Sequence, residues 1–383
     1  MSNVLPLYQQ IVDHLLERIE TNVLRPGDRI PTEQEITEAF GVSRITAVRA
    51  VKELETRGLV TRTKGRGSFV TSKSAWHNNG PGPPRPLVVS LVLPFQELLA
   101  IGVLVGVERL IHADGYHTSF RNSAGDVSRE RQILMKDSED GVAGMIVYPC
   151  SSVENAGAFS SLLVRRFPVV VIDRRLRGIE TPFVAVDNTR GTYEATRHLV
   201  ELGHRDIAFV AEAAVSIESE AERFHGYCRA LMEARIPVQD DLVIDRFGEH
   251  LVHRGGNPPE QFAVAPSATT ERIMDTLFDL ATPPTAIVSI NDAAAAQFVK
   301  CALQRGIRVP QDLSVVGFDN LPFSAHIEVP LTTVEQPFRE IGERAAAILL
   351  SRIANPSAPY QSELLEPRLI VRDSTAPPRR AGS

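Results

Sequence analysis

The sequence predicts an α/β protein in which a small N-terminal unit precedes a two-lobed domain built on doubly wound parallel sheets. Three observations predict this fold: helical periodicity near the N-terminus, a Pro/Gly-rich break at residues 74–86, and short apolar runs that alternate with helical stretches from Leu87 onward. The 383 residues suffice for two or three domains. We expect residues 1–73 to form one domain, residues 87–373 a second, and residues 374–383 a disordered tail.

The composition is that of an ordinary globular protein, with 43% hydrophobic and 23% charged residues. Its three cysteines form no CxxC pair, which argues against disulfides or a zinc site and suits a reducing cytosol. The uncharged run Leu98 to Val107 is too short to span a bilayer, and the start MSNVLPLYQQ lacks the basic and apolar regions of a secretion signal. We therefore expect a cytoplasmic protein without a metal or cofactor.

Positive charge is concentrated in one segment. Residues 43–73 hold 8 Lys/Arg against 2 Asp/Glu, whereas the net charge of the whole chain is −6. A local basic segment on an acidic protein indicates a surface that binds a polyanion. A solvated charged face is the alternative.

The elements of the N-terminal unit follow from periodicity and capping. Apolar residues from Tyr8 to Ile19 recur at helical spacing and predict a first helix. Thr32 and Glu35 have the spacing of a capping box, so a second helix begins there and ends at Gly41. Ser43 can cap a third helix, which should end near residue 57.

Two short helices joined by a turn and followed by the strand–loop–strand VTRTKGRGSFV predict a winged helix-turn-helix. The third helix would then read the DNA major groove, and the glycine-rich wing would reach phosphates or a minor groove. Arg44 could instead form a surface salt bridge, and Thr46 could serve in capping or packing. The candidate DNA contacts are Thr32, Glu33, Gln34, Ser43, Arg44, Thr46, Arg49, Lys64, Gly65 and Arg66.

Residues 7–71 resemble the GntR family of bacterial transcription factors. The resemblance is carried by LRPGDRIPTEQEI, FGVSR, GLV and GRGSFV, in the family's order. The chain departs from the family at Gln34 and Val48, where arginine is common. The resemblance implies a DNA-binding head.

Beyond the break, eight apolar runs predict buried parallel strands: LVVSLVLP, GMIVYP, PVVVID, FVAVD, IAFVAE, DLVIDRF, TAIVSIND and LSVVGFDN, each separated by a helical stretch. Ligands of such sheets bind at the carboxyl ends of the strands. Polar and aromatic residues at these ends suit a small polyhydroxylated ligand. The candidates there are Phe95, Gln96, Tyr148, Asp173, Asn291 and Asp319.

Four stretches stand out in residues 87–373: ATRHLVELGHRDIAFV, ERFHGYCRAL, PTAIVSINDAAAAQFVKCALQRGIRVPQDLSVVGFDN and PLTTVEQPFREIGERAA. With them the segment resembles the effector domain of the LacI/GalR family, which is similar to periplasmic sugar-binding proteins. This resemblance implies that Arg223 grips the effector and that Asn291 and Asp319 bond its hydroxyls. It further implies a polar contact at Asp173 and an aromatic platform at Phe247, after which residues 248–266 form an insertion; Gln336 is a further candidate.

Structural roles compete with these assignments. Asp319 could cap a turn, and Arg223 could pair with Glu220 or Glu222. We expect Asp292 to be a helix N-cap. His250 and His253 lack a third ligand and are interpreted as a solvated pair.

Three classes of function are the alternatives for this sequence: a regulator, an enzyme and a transport binding protein. An aminotransferase-like enzyme needs a Schiff-base lysine, which no predicted strand end supplies. A transport protein does not need a basic head. The sequence therefore predicts a non-enzymatic homodimeric repressor that binds an inverted-repeat operator and responds to a sugar, or alternatively to a nucleoside or other metabolite. We expect the chain to cross between the lobes near residues 185–187, 332–336 and 364–367.

Overall fold

In a computed structural model, the chain divides into two compact units, residues 1–87 and 88–383, here called the head and the body. The structure describes residues 7–21, 23–56, 59–63, 67–71, 88–94, 99–211, 217–244 and 267–379. None of the helices in these ranges combines the length and the apolar character that a membrane span requires.

The head contains three helices and a hairpin: α1 (Leu7–Glu20), α2 (Glu33–Phe40), α3 (Arg44–Thr56), β1 (Val60–Thr63) and β2 (Gly67–Val70). The predicted capping box is confirmed, because Thr32 Oγ1 accepts from the Glu35 amide at 3.2 Å while the Glu35 carboxylate accepts from the Thr32 amide at 2.6 Å. Gly41 ends α2 in the left-handed conformation, with φ of 63°. The apolar faces of the helices meet in one core, formed by Ile11, Val12, Leu15, Ile19, Ile36, Val42, Ala47, Val51 and Leu54.

The body alternates strands and helices along most of its length. In chain order its elements are β3 (Val88–Leu93), α4 (Leu99–Ala113), β4 (His117–Asn122), α5 (Val127–Glu139), β5 (Gly144–Val147), α6 (Ala156–Val164), β6 (Val169–Ile172), β7 (Phe183–Val186), α7 (Asn188–Leu202), β8 (Ile207–Val210), α8 (Glu218–Glu233), β9 (Val243–Ile244), α9 (Ala268–Phe278), β10 (Ala286–Ser289), α10 (Asp292–Gln304), β11 (Ser314–Asp319), β12 (Thr332–Glu335), α11 (Phe338–Ala354), β13 (Ser362–Leu365) and β14 (Arg368–Ile370). The expected helix between β6 and β7 is absent, since residues 173–182 are described and form only turns and bends.

Two six-stranded sheets define the lobes. Lobe 1 has the strand order β13-β7-β6-β5-β3-β4 and is parallel throughout. Lobe 2 has the order β14-β12-β11-β10-β8-β9, with only β14 antiparallel to its neighbour. Both are doubly wound, and the winding direction reverses between β3 and β5 in lobe 1 and between β8 and β10 in lobe 2. These reversals are where open α/β sheets bind ligands, next to Tyr148 and Asn291.

The chain crosses between the lobes three times. It leaves lobe 1 after β7 and enters α7, which packs on α8. It leaves lobe 2 after β12 and enters α11, which packs on α4 and the lobe 1 strands. The third crossing is the two-residue step from β13 to β14. Each lobe is therefore completed by strands from the C-terminal quarter of the chain.

The C-terminal segment is ordered as far as residue 379, so the predicted disorder from residue 374 is wrong for this part. Ser374 is fully buried, and its hydroxyl donates to the Val315 carbonyl at 2.6 Å. The Ala376 amide donates to Ser314 Oγ at 3.1 Å, and the Ala376 carbonyl lies 2.9 Å from His204 Nε2. These long-range hydrogen bonds attach the segment to lobe 2. Residues 380–383 lie outside the described residues.

Candidate functional site

The N-terminal end of α3 presents polar side chains to solvent. Ser43 Oγ accepts from the Thr46 amide at 3.2 Å, which satisfies one of the free donors of the first turn. Arg44 is exposed, and none of the ion pairs between described residues involves it. Ala47 and Val51, further along the helix, are buried in the core, whereas Arg44 is the first residue of the helix and projects beyond that packed part. The geometry leaves the Arg44 side of the helix open to a DNA groove.

The other two candidates on α3 are partly engaged within the head. The Arg49 guanidinium lies 4.0 Å from the centroid of the Tyr8 ring, a cation–π contact that helps to hold α1 against α3. Thr46 Oγ1 lies 2.8 Å from Ser43 Oγ. Arg44 is therefore the candidate on this helix with no such internal contact among the described residues.

The candidates on α2 also have internal partners. Glu33 forms an ion pair of 3.2 Å with Arg62 of β1, which ties α2 to the hairpin. The Gln34 amide donates to Glu38 at 3.1 Å. The predicted wing residues Lys64, Gly65 and Arg66 lie outside the described residues, between the paired ends of β1 and β2 at Thr63 and Gly67.

In the body, two predicted site carboxylates lie on unusual backbone. Asp173, which directly follows β6, has φ of 63°, and Asp319, at the end of β11, has φ of 113°. L-residues rarely adopt this conformation, which costs on the order of 1–3 kcal/mol and is concentrated at functional sites. Both side chains are almost fully buried. The fold thus maintains strain where the two acidic groups are placed.

Arg223 of α8 lies at the centre of a buried polar cluster in lobe 2, which it forms with Asn188, Asp319 and the carbonyl of Ile290. Its Nε donates to Asn188 Oδ1 at 2.9 Å, and its Nη1 donates to the carbonyl of Ile290, which follows β10. The guanidinium lies 3.8 Å from the centroid of the Phe318 ring, and its Nη2 lies 4.0 Å from Asp319 Oδ1. These contacts fix a buried cation at the carboxyl ends of β10 and β11. The charged partner is Asp319, not Glu222, so the expected alternative of an Arg223–Glu222 pair is wrong.

Asp319 combines a raised pKa with incomplete hydrogen bonding around it. Burial raises the pKa of this carboxyl to about 8, against the opposing effect of the Arg223 guanidinium. Gln336 Nε2 donates to Asp319 Oδ1 at 2.7 Å. Gln336 Oε1 and Ser289 Oγ are buried without a hydrogen-bond partner in the structure. Ser289 ends β10 and Gln336 follows β12, so both lie at carboxyl ends of lobe 2 strands, where ligand hydroxyls can pair with them.

Asn188 and Glu222 extend the cluster; sequence reasoning missed Asn188 and considered Glu222 only as a structural partner of Arg223. The Asn188 amide accepts from Arg223 through Oδ1 and donates to Glu222 Oε2 at 3.0 Å through Nδ2. Burial raises the pKa of Glu222, and the carboxylate of Asp173 raises it further. No local motif marks these residues, since their partners come from different helices.

Asn291, and not Asp292, caps α10. Asn291 Oδ1 accepts from the Ala294 amide at 2.8 Å and caps α10, so the expectation that Asp292 is the N-cap is wrong. Asp292 is fully buried and accepts hydrogen bonds from Leu321 and Thr333. A buried acceptor with two tertiary donors is better satisfied there than at the cap.

Lobe 1 contributes an aromatic and basic edge. Tyr148 is buried directly after β5, and the Arg174 guanidinium lies 4.9 Å from the centroid of its ring. A salt bridge of 2.9 Å between Arg177 and Glu218 connects this lobe to the start of α8 in lobe 2. The predicted contacts Phe95, Gln96 and Phe247 lie outside the described residues.

Comparison with known proteins identifies both parts of the chain. Residues 7–70 match the gntR family of bacterial regulatory proteins, and residues 196–375 match the periplasmic binding protein-like domain. The arabinose metabolism transcriptional repressor of Geobacillus stearothermophilus is 29% identical over 381 residues, which cover 97% of this chain and 98% of the repressor. The HTH-type transcriptional repressor PurR of Aliivibrio salmonicida is 28% identical over 269 residues, covering 70% of this chain and 75% of PurR.

Solved structures support the same assignment. A LacI family transcriptional regulator from Enterococcus faecium, solved with bound ribose, has a TM-score of 0.61 and is 27% identical. The match covers 76% of this chain and 99% of that regulator. A helix-turn-helix head with a hairpin, joined to a two-lobed body, defines a DNA-binding transcriptional regulator. The head is a GntR-family domain, and the body is a periplasmic-binding-protein-like domain of the LacI type.

Proposed function

We propose that this regulator is a repressor whose affinity for its operator is set by an uncharged, polyhydroxylated small molecule, most simply a sugar, bound between the lobes. The observation that carries the proposal is the Arg223–Asp319 cluster, in which Gln336 Nε2 donates to Asp319 while Gln336 Oε1 is buried and has no hydrogen-bond partner among the described residues. Sugar hydroxyls both donate and accept, so they can satisfy a guanidinium, a carboxyl and an amide oxygen at once. The repressor names of the relatives and the ribose bound to the Enterococcus faecium regulator favour the same class.

The charges of the cluster favour an uncharged effector over a phosphorylated one. Three carboxyl groups, those of Asp173, Glu222 and Asp319, influence one another here, and the guanidinium groups of Arg223 and Arg175 oppose them, so the cluster has no excess of positive charge for a phosphate. A phosphate group brought into this environment would lose its hydration and meet further acidic groups. Because such a regulator acts on DNA, we propose that it works in the cytoplasm.

A thermal-shift screen of the full chain tests this function. We expect arabinose or ribose to raise the unfolding midpoint, because a ligand that binds only the folded state at 100 times its Kd stabilises it by about 2.7 kcal/mol. The matching sugar phosphates should have a smaller effect. The same compounds should then change operator binding measured by fluorescence anisotropy. A response confined to nucleosides would favour the alternative effector class, and one confined to phosphates would contradict the charge argument.

The repressor is further proposed to act as a homodimer on an inverted repeat, because the two-fold symmetry of a dimer is repeated in its DNA site. Ile101 and Val105 of α4 are 57% and 50% exposed, which is unusual for apolar side chains and offers a surface for a second copy. Footprinting at saturating protein should reveal two symmetric half-sites. Protection of a single asymmetric half-site would contradict the dimer.

A further inference from the structure

Asp292 is a fully buried carboxylate that the proposed ligand contacts do not use. It begins α10, directly after Asn291, but the capping is done by Asn291. Its Oδ2 accepts from the Leu321 amide at 2.7 Å, and its Oδ1 accepts from Thr333 Oγ1 at 2.5 Å. Burial raises its pKa to about 7, so this carboxylate is costly to maintain.

The two hydrogen bonds join three neighbouring strands of lobe 2. Asp292 follows β10, Leu321 follows β11, and Thr333 belongs to β12. The Thr333 hydroxyl also accepts from the backbone amide of Asn320 at 3.3 Å, so it connects the turn after β11 to the Asp292 carboxylate. Gly317 of β11 leaves room for this arrangement, because a Cβ there would lie 2.3 Å from Asp292 Oδ1.

The turn held in this way contains the strained ligand-binding position. Asp319 and Asn320 have φ values of 113° and 53°, so two consecutive non-glycine residues adopt the left-handed region before Leu321. Such a conformation persists only where its surroundings enforce it. Asp292 accepts from the Leu321 amide and from the Thr333 hydroxyl, which itself accepts from the backbone amide of Asn320, so the two residues that follow Asp319 are both held.

The same turn continues to the crossing between the lobes. The Asn320 side chain donates to Glu335, the last residue of β12, at 3.0 Å and accepts from Arg372 at 2.6 Å. Three residues after Glu335 the chain enters α11 on lobe 1. Asn320 and Phe338 line one groove together with Ile101 of α4, so residues from both lobes meet there.

We propose that Asp292 is a positioning residue that holds the turn 319–321, and thereby aims the Asp319 carboxyl at the effector and connects the effector edge to the β12–α11 crossing. This inference rests on the proposed function. In the proposed arrangement Asp292 does not contact the effector and acts through its hydrogen bonds with Leu321 and Thr333. Two consequences follow. Effector affinity depends on Asp292, and so does the coupling between effector binding and the change in operator affinity.

The variant Asp292→Asn tests the proposal, because an amide keeps the shape but cannot accept both hydrogen bonds. With arabinose or ribose, whichever gives the larger wild-type shift, we expect at least tenfold weaker binding by calorimetry. Operator affinity without sugar should match the wild type. The control Asp312→Asn changes a partly exposed lobe 2 carboxylate bonded to Arg308 and should bind sugar normally.

Thr333→Val tests the same positioning role if the Asp292→Asn protein does not fold. It removes the hydroxyl that links Asp292 to Asn320 and should also weaken sugar binding, and the two substitutions together should cost less than the sum of their separate effects. A folded Asp292→Asn or Thr333→Val protein with wild-type sugar affinity and operator response would overturn the positioning role. If the wild type responds to neither sugar, the proposed function itself fails for these effectors, which is a distinct result.

Discussion

Asp319→Asn should bind operator DNA like the wild type but require much more effector to respond. The substitution keeps the acceptor for Gln336 and removes the carboxyl beside Arg223. Leaving a buried hydrogen-bond partner unsatisfied costs about 1–3 kcal/mol, which corresponds to roughly 5- to 150-fold in affinity. Fluorescence anisotropy of labelled operator, titrated with the responsive sugar, measures the shift. A wild-type response would mean that the effector binds elsewhere.

Arg223→Lys is the complementary variant. Lysine retains the charge but cannot reproduce a guanidinium that donates to Asn188 and Ile290 while stacking on Phe318. We expect a similar loss of response with operator binding intact. Because a ligand shifts a conformational equilibrium only through its differential affinity for the two states, either variant should fix the regulator in its ligand-free behaviour at ordinary effector concentrations.

The pH dependence of stability provides an independent check that Asp319→Asn is folded and that Asp319 is buried as described. In the unfolded chain the pKa of this carboxyl is about 3.9, whereas burial raises it to about 8 in the folded state. The folded state therefore holds this proton longer, and its stability declines as pH rises through that interval. The asparagine variant lacks this decline. The difference in the free energy of unfolding, variant minus wild type and measured without effector, should be larger at pH 8 than at pH 5.

Arg44→Ala should reduce affinity for the preferred operator by about 1–3 kcal/mol and relax the base preference at one position of each half-site. Arg44 is exposed at the N-terminal end of α3, the end that contacts base edges when such a helix enters the major groove. Lys64→Ala in the predicted wing should instead weaken all DNA about equally and flatten the salt dependence. Equal losses on operator and random DNA for Arg44→Ala would rule out base reading.

Much of the fold could be predicted because its signals are local. The Thr32–Glu35 capping box fixes the start of α2 within four residues of sequence, and runs such as that of β5 are continuously apolar because the strand is buried on both faces. The strands missing from the prediction lie mainly at the sheet edges. β4, with the sequence HTSFRN, is an edge strand with a partly exposed face, so its polar residues conceal it.

The candidate site could be predicted only in part. Asp173 and Asp319 occur at strand ends, which the sequence marks, but the pairing of Asn188 with both Arg223 and Glu222 depends on how α7 and α8 pack. Asn and Asp are equally good caps, so the local sequence cannot decide between Asn291 and Asp292. The distant donors Leu321 and Thr333 decide it.

The order in which the chain is synthesised gives the three crossings a further consequence. The head is complete once residue 71 has emerged from the ribosome, whereas lobe 1 waits for β13 and lobe 2 for β14 and Ser374. Domains fold as units, N-terminal first, during translation. A nascent chain therefore carries a finished DNA-binding domain for some 300 residues of synthesis before its sensor can close. Truncation in the last quarter before Ser374 would leave this domain without a complete sensor.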